Sequence, residues 1–541
     1  MARLHMYRTK HGIKRFRITG SLSKQVRNLL VQHTDVTRIK GAGYTCLADE
    51  KVYAIVKNNV PNLDITSAAL RWRQSKSASL KVRQQLITQT DVDLGDWATK
   101  LHPFQRVGAN FLVQARFGLL ADSPGLGKTA QAIAAIRASD RHRKVLVICP
   151  NALKAWWKQE IAQWYPDIPT QVFVSKNRDF QLRTFKEGVA ILNWEMIPIF
   201  YALIRHNWEW IICDEAHRLR RHTTKTFAAL ERLQYTRLAL LTATPMANHP
   251  AELWPMLSLI AREQFGSYTA FFEKYVNYVI SPWGKKKPVG VVNPSELRER
   301  LSTVMLQRTW DDVGIQMPEK QLRRIDVTMT TKQRTLYKEV LKYLWIELED
   351  GDIVSADSAA LKVLRLRQII STTATITDYD SSAKLDLLSQ LIEDEGPKDQ
   401  WVVFSEFRAT CFSVAQRCAK HGLSCSIVVG GLGYKKIAKR VKDFQDGKTQ
   451  VFVATTGSGG VGLNLQCAHL LVRIDKWWAP DRQMQSEDRI YRIGQKHNVI
   501  VTELFMPNTI DELVEEVLER KIGMEEAIFS GMLRKFMEKY K

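Results

Sequence analysis

The sequence predicts an α/β protein: two parallel-sheet lobes with helical insertions, preceded by a small basic α+β domain. Three observations carry this. From about residue 95 to 250, short β-branched runs that end in polar residues alternate with amphipathic stretches. A second such set begins at residue 401, after roughly 150 residues of mainly helical pattern. Residues before 90 follow a different, shorter and strongly basic pattern. Strand and helix patterns in alternation argue for parallel sheets covered by helices on both faces. A chain of 541 residues is also too long for a single core.

Taken in order, residues 1–90 form the first expected domain. "KRFRITG", "GAGYTCLA" and "KVYAIVKN" read as strands, "LSKQVRNLLVQH" as a helix, and 67–90 as a helical connector. Of the net charge of +23, residues 1–100 supply +11, with eighteen Lys and Arg against seven Asp and Glu. Such a balance favours polyanionic partners, nucleic acid or an anionic membrane surface. This domain is expected either to dock nucleic acid or to brace the next lobe.

The first lobe is expected over 91–325. Its strands are "FGLLA" (117–121), "KVLVICP" (144–150), "VAILNWE" (189–195), "WIICDEA" (210–216) and "LALLTATP" (238–245). Trp156, Trp157 and Trp164 lie at helical spacing in "ALKAWWKQEIAQWY" and are read as core. "SPWGKKKPVG" (281–290) reads as a basic surface loop. Residues 326–380 are expected to be a helical linker and 381–520 the second lobe. Its strands are "WVVFSEF", "SCSIVVGG", "TQVFVATT", "HLLVRID" and "NVIVTELFM". Residues 521–541 are expected to form an amphipathic helix.

Composition narrows the class. No apolar run is long enough for a membrane span, and the start lacks the apolar core of a signal peptide. A cytoplasmic protein, nucleoid-associated or in a host cell if viral, is expected, with no membrane partner. The seven cysteines form no C-x-x-C pair and read as reduced thiols. Cys411, Cys418 and Cys425 recur every seven residues and are expected on or beside a buried helix, without a metal.

"ADSPGLGKTA" (121–130) raises the chemical question. It ends as a phosphate-cradling loop does, yet Asp122 stands where G-x-x-x-x-G-K-[ST] has glycine. A strand precedes it and a helix-forming run follows, the context that aims backbone N–H groups at phosphate. Gly125 and Gly127 allow close approach, Lys128 reaches the β- and γ-phosphates, and Thr129 ligates Mg²⁺. Asp214 and Glu215 follow an apolar strand. Asp214 suits the metal and Glu215 the activation of water. A lone Asp-Glu after a strand is often a helix N-terminus; paired with the loop, the catalytic reading is the stronger.

"DEAH", "TATP" (242–245) and "QSEDRIYRIGQ" (485–495) resemble motifs of superfamily-two helicases, and more narrowly the Snf/Swi family of DNA-translocating ATPases. "LHPFQRVGANFL", "KVLVICPNALKAWWKQE", "LSTVMLQRTWDDV" and "ATTGSGGVGLNLQCA" follow that family's order, so the resemblance covers about 95–520. It implies two RecA-like lobes with ATP between them, and a compact translocase, bacterial, phage-like or annealing-helicase-like, acting on double-stranded or forked DNA. A strand-separating DNA or RNA helicase, or a fork-remodelling annealing helicase, is the alternative.

Residue by residue, the resemblance makes Gln105 an adenine reader. It places Asp122, Pro124, Gly125, Gly127, Lys128, Thr129 and Gly462 around the nucleotide. Arg489 and Arg492, three apart and on one face if helical, become arginine fingers. His217, Thr242 and Thr244 become coupling residues, while Ser458, Gly459, Gly460 and Gln485 serve coupling and DNA. Asp122 matches an acidic residue common in that family's loop. Ser123-Pro124 and Gln307-Arg308 depart from it, the latter putting an interlobe contact in doubt. Trp477 and Trp478 after a strand read as core or as a base-stacking pair, with core favoured.

Overall fold

The computed structural model describes residues 2–8, 14–19, 22–33, 37–39, 43–47, 50–61, 63–66, 69–70, 96–139, 144–174, 178–280, 284, 286–349, 356–396, 398–459, 463–476 and 486–520. The connector 71–90, Gly460, Gly462, Trp477, Trp478, Gln485 and the terminal 525–541 lie outside the described residues. The chain divides into two units, Met1–Pro150 with Trp157–Gly314, and Asn151–Trp156 with Ile315–Lys541.

The N-terminal part of the first unit has its own five-stranded sheet, order β3-β4-β2-β1-β5. The strands are β1 Arg3–Arg8, β2 Lys14–Thr19, β3 Thr37–Ile39, β4 Gly43–Leu47 and β5 Asp64–Ile65. All pairs are antiparallel except β1 with β5. Two helices, Lys24–His33 and Glu50–Asn59, pack with it. "KVYAIVKN" is therefore helix, which corrects the strand expected there. Val52, Tyr53 and Val56 are buried at three-to-four-residue spacing, and this periodicity outweighs β-branched composition. Leu4, Phe16, Ile18, Val26 and Leu30 complete a core separate from that of the lobe.

The lobe itself is built on a seven-stranded sheet, order β14-β6-β11-β10-β7-β9-β8. Its strands are β6 Phe117–Leu120, β7 Lys144–Cys149, β8 Thr170–Val172, β9 Gly188–Asn193, β10 Asn207–Asp214, β11 Gln234–Leu241 and β14 Met305–Leu306. Every pairing is parallel. Residues 145–149 of β7 and 188–192 of β9 are buried apolar runs, as a sheet covered on both faces requires. Between β11 and β14 lies a hairpin, β12 Val276–Ile280 with β13 Lys286–Val291; residues 286–290 of the basic stretch are strand, while 281–283 and 285 lie outside the described residues.

The second unit holds a six-stranded parallel sheet, order β15-β20-β19-β16-β18-β17. The strands are β15 Lys320–Asp326, β16 Trp401–Ser405, β17 Cys425–Val428, β18 Val451–Thr455, β19 Leu470–Arg473 and β20 Val499–Phe505. Two expected boundaries move. β15 belongs to this sheet, so the unit begins at residue 315 and not after 325. Residues 326–380 are no linker, because Val327, Tyr337, Val363, Leu366, Ile369 and Ile370 share one core with Trp401 and Val453. β15 escaped the sequence reading because an edge strand carries charge where a central one carries Val and Ile. The cysteines are free; Cys411 and Cys418 lie on the helix Arg408–Lys420, and Cys425 begins β17.

Candidate functional site

Leu120 of β6, Leu241 of β11 and Asp214 of β10 are register partners in one row across the first lobe. The residues after them emerge side by side at the carboxyl edge, where open parallel sheets bind ligands. This row brings the phosphate loop, Thr242–Thr244 and Glu215–His217 together.

Gly125 and Gly127 have φ of 81° and 75°, and Gly127 caps the helix Lys128–Ala138. A Cβ at Gly127 would sit 2.4 Å from the Gln105 amide nitrogen, so both its conformation and its neighbour demand glycine. The Lys128 Nζ donates to the carbonyls of Asp122 (2.7 Å) and Ser123 (3.2 Å). The ammonium lies across the loop, with Thr129 next on the helix.

Asp122 is fully buried. Its Oδ1 accepts from Arg308 Nε at 3.0 Å, and its Oδ2 accepts from Arg308 Nη2 at 2.6 Å and Gln131 Nε2 at 3.1 Å. Arg308 also donates to the Phe104 carbonyl and to Gln131 Oε1, with its guanidinium 5.4 Å from the Phe104 ring centroid. Asp122 was expected against the nucleotide; its carboxylate instead fastens the loop. Arg308, singled out in the sequence only as half of the Gln307-Arg308 departure, makes these bonds within the first unit. Gln105 accepts from the His102 N–H at 3.0 Å and donates to the Leu126 carbonyl at 3.3 Å, tying the preceding helix to the loop.

Asp214 accepts from Trp157 Nε1 (2.8 Å) on Oδ2 and from the Glu215 N–H (3.0 Å) on Oδ1. Trp194 Nε1 donates to the Asp214 carbonyl at 2.9 Å. Burial and the charge of Glu215 push the Asp214 carboxyl up to about 6, against the lowering effect of the Trp157 N–H and Lys128. Trp157 is core, as expected, and is also a donor to the site. The signal was available: a buried indole N–H needs an acceptor.

Glu215 adopts φ 55°, a left-handed conformation uncommon outside glycine and frequent at functional sites. From it runs a chain of contacts. Glu215 Oε2 lies 3.1 Å from His217 Nδ1, which lies 3.3 Å from Thr242 Oγ1. Thr242 Oγ1 accepts from the Thr244 N–H, and Arg220 Nη2 donates to the Thr244 carbonyl at 2.7 Å. Arg220 Nε is 3.6 Å from Glu252, which accepts from the Ala247 and Asn248 N–H groups and from Asn248 Nδ2. Burial would raise the Glu252 carboxyl, but these hydrogen bonds and Arg220 hold it below the ordinary range. The sequence singled out His217, Thr242 and Thr244, which these contacts bring together, but not Arg220 or Glu252.

In the second unit Arg489 is buried and Arg492 half-buried. They lie in turns after Glu487, so the shared helix face is not formed. Ser458 and Gly459 lie in the short helix Thr456–Gly459.

The first lobe's residues fit a nucleotide and a divalent cation. A helix N-terminus behind two left-handed glycines suits phosphate. A buried carboxylate whose pKa is raised lacks compensating charge that a cation would supply, and Thr129 adds a hydroxyl, a usual donor set for Mg²⁺ on a triphosphate.

Two parallel-sheet lobes, one with a phosphate loop aligned with an Asp-Glu pair, are the architecture of the helicase superfamily-two class. The chain matches the SNF2-related domain over residues 33–375 and the helicase conserved C-terminal domain over 383–494. It belongs to the SNF2 family.

Among its relatives is the putative ATP-dependent helicase/translocase YwqA of Bacillus subtilis, 26% identical over 80% of this chain and 49% of that protein. The human DNA annealing helicase and endonuclease ZRANB3 is 26% identical over 81% of this chain and 41% of its own length. The chain thus spans less than half the length of these curated relatives. A solved Sulfolobus solfataricus SWI2/SNF2 ATPase core in complex with dsDNA is 25% identical, covering 78% of this chain and 91% of that chain, with a TM-score of 0.38.

Proposed function

We propose that the protein is a DNA-dependent ATPase that moves along double-stranded DNA without needing to separate its strands. The observation that supports this best is the row Leu120–Leu241–Asp214, which aligns the phosphate loop, the Asp-Glu pair and Thr242 at one sheet edge. Relatives described as a helicase/translocase and a DNA annealing helicase fit the same reading, as does a net charge of +23. Free cysteines suit a reducing, cytoplasmic setting beside DNA.

In this reading Lys128 and the 125–129 backbone hold the β- and γ-phosphates, and Gln105 and Gly462 add nucleotide contacts. Thr129 and Asp214 would hold Mg²⁺, which neutralises charge on the phosphates when bound. Glu215 orients and deprotonates the attacking water, and Arg489 and Arg492 answer the charge that spreads over the transferring phosphoryl group. His217, Thr242 and Thr244 pass the state of Glu215 to the loop 244–249. Ser458, Gly459, Gly460 and Gln485 contact the DNA backbone or relay to it, and residues 1–90 dock duplex or forked DNA.

The test is ATP turnover with duplex, single-stranded and forked DNA and with RNA, alongside displacement of a third strand from a triplex. Duplex-stimulated turnover with triplex displacement supports translocation. Unwinding of a blunt duplex would identify a strand-separating helicase instead.

A further inference from the structure

Glu487, two residues before Arg489, is buried with 6% of its surface exposed. Its Oε1 accepts from Arg473 Nη1 at 3.0 Å, and its Oε2 accepts from Lys320 Nζ at 2.9 Å. The two cations come from different strands, β19 and β15, and Arg473 Nη2 continues to Glu503 of β20 at 3.3 Å. The Glu487 carbonyl accepts the N–H groups of Ile490 (3.1 Å) and Tyr491 (3.0 Å), so the residue that is pinned is also the one that starts the arginine turn. Tyr491 adds a bond from its hydroxyl to the Pro318 carbonyl, and Lys320 Nζ lies 5.5 Å from its ring centroid.

The far end of the turn is fixed independently. The buried Gln495 amide donates to the carbonyls of Gln466, Ala468 and Ile490 and accepts from the N–H groups of Lys496 and His497. The Arg489 carbonyl accepts the Leu465 N–H at 2.9 Å. The backbone that carries both arginines is thus clamped at each end, and the carboxylate clamp is the one made of ions.

Buried ion pairs contribute little net stability compared with apolar packing, because desolvation offsets their attraction. What they supply is direction. A carboxylate held between two cations from two strands allows one orientation of the turn, and charge stabilisation of a transition state depends on donors being placed beforehand. We propose that Glu487 is a positioning residue for Arg489 and Arg492, acting through Arg473 and Lys320. This rests on the reading of those arginines as γ-phosphate groups.

The experiment compares Glu487→Gln, Lys320→Met and Arg492→Ala in the full chain, by DNA-stimulated ATP turnover and by binding of a fluorescent ATP analogue. Glu487→Gln is expected to lower kcat about 10- to 50-fold while KM and analogue affinity stay within about twofold, a purely transition-state loss. Lys320, whose side chain is 34% exposed, tolerates replacement more easily, and Lys320→Met should lower kcat about threefold or more with the same split. If Glu487→Gln proves insoluble, Lys320→Met decides the matter. Normal kcat in the folded variants beside an inactive Arg492→Ala overturns the positioning role and leaves the arginine reading intact. Normal turnover by Arg492→Ala overturns the arginine reading itself.

Discussion

Arg308 grips both carboxylate oxygens of Asp122, although 186 residues separate them in sequence. This pair accounts for an acidic residue where a phosphate loop usually has glycine: the loop's first turn is fastened to the strand end that closes the lobe. Removing one partner of a buried pair leaves an uncompensated charge, which costs about 3–5 kcal/mol. Asp122→Ala should therefore destabilise the first lobe by that order, seen as a lower urea midpoint, and weaken ATP-analogue binding with it. Arg308→Lys keeps the charge and loses the paired geometry, and should fall between the two. Denaturation followed with and without nucleotide checks this; an Asp122→Ala protein as stable as the parent contradicts it.

Asp214 gives the pH dependence. Its folded pKa of about 6 lies above the ordinary aspartate value, so the folded state holds the proton more tightly. In the metal-free protein its contribution to stability is thus favourable at acid pH and is lost as pH rises through about 6. A cation needs the ionised form, so apparent Mg²⁺ affinity should fall about tenfold per pH unit below that value. Trp157 donates to the carboxylate and favours ionisation, so Trp157→Phe should move the midpoint upward. Titrating Mg²⁺ against ATP turnover from pH 5 to 8 reads both shifts. A variant midpoint that stays put or falls would sink the role given to Trp157.

The parts legible in the sequence were those whose pattern is local. β6, β7, β9, β10 and β11 show as apolar runs because both faces of that sheet are covered, and the loop and Asp-Glu pair show through spacing alone. What escaped is held by distant or edge contacts. β15 carries Lys320, Arg323 and Arg324 and looks like surface. The helix 50–59 carries Val52 and Val56 and looks like strand until its spacing is weighed. Arg308 and Glu487 are ordinary charges in sequence, and only the fold reveals that Asp122, Arg473 and Lys320 meet them.

The contacts from Glu215 through His217, Thr242, Thr244 and Arg220 to Glu252 should transmit more than they stabilise. Arg220 holds the Thr244 carbonyl at the base of a loop whose Met246 is 42% exposed. Arg220→Gln should lower DNA stimulation about fivefold or more while turnover without DNA changes less than twofold, a coupling energy of about 1 kcal/mol. Glu252→Gln should behave alike, since it loses the negative charge facing Arg220 and two backbone N–H groups. Equal loss of basal and stimulated turnover would make this chain of bonds part of the catalytic centre instead.

The N-terminal domain has a core of its own, formed by Leu4, Phe16, Ile18, Val26, Leu30 and Val56, so its removal need not open the lobe. The helix Lys24–His33 does touch the helix Tyr268–Tyr275 of the lobe, which keeps bracing a real alternative. The two roles separate through salt. If the domain neutralises phosphates, each contact contributes about 0.9 to the slope of log affinity against log salt. A chain lacking residues 1–90 should then bind duplex DNA at least about fivefold more weakly and show a slope smaller by about 2–3. Its turnover without DNA should stay near that of the full chain. Affinity measured across a salt series on both chains decides this: an unchanged slope, or a truncated chain that no longer folds, assigns the domain to bracing.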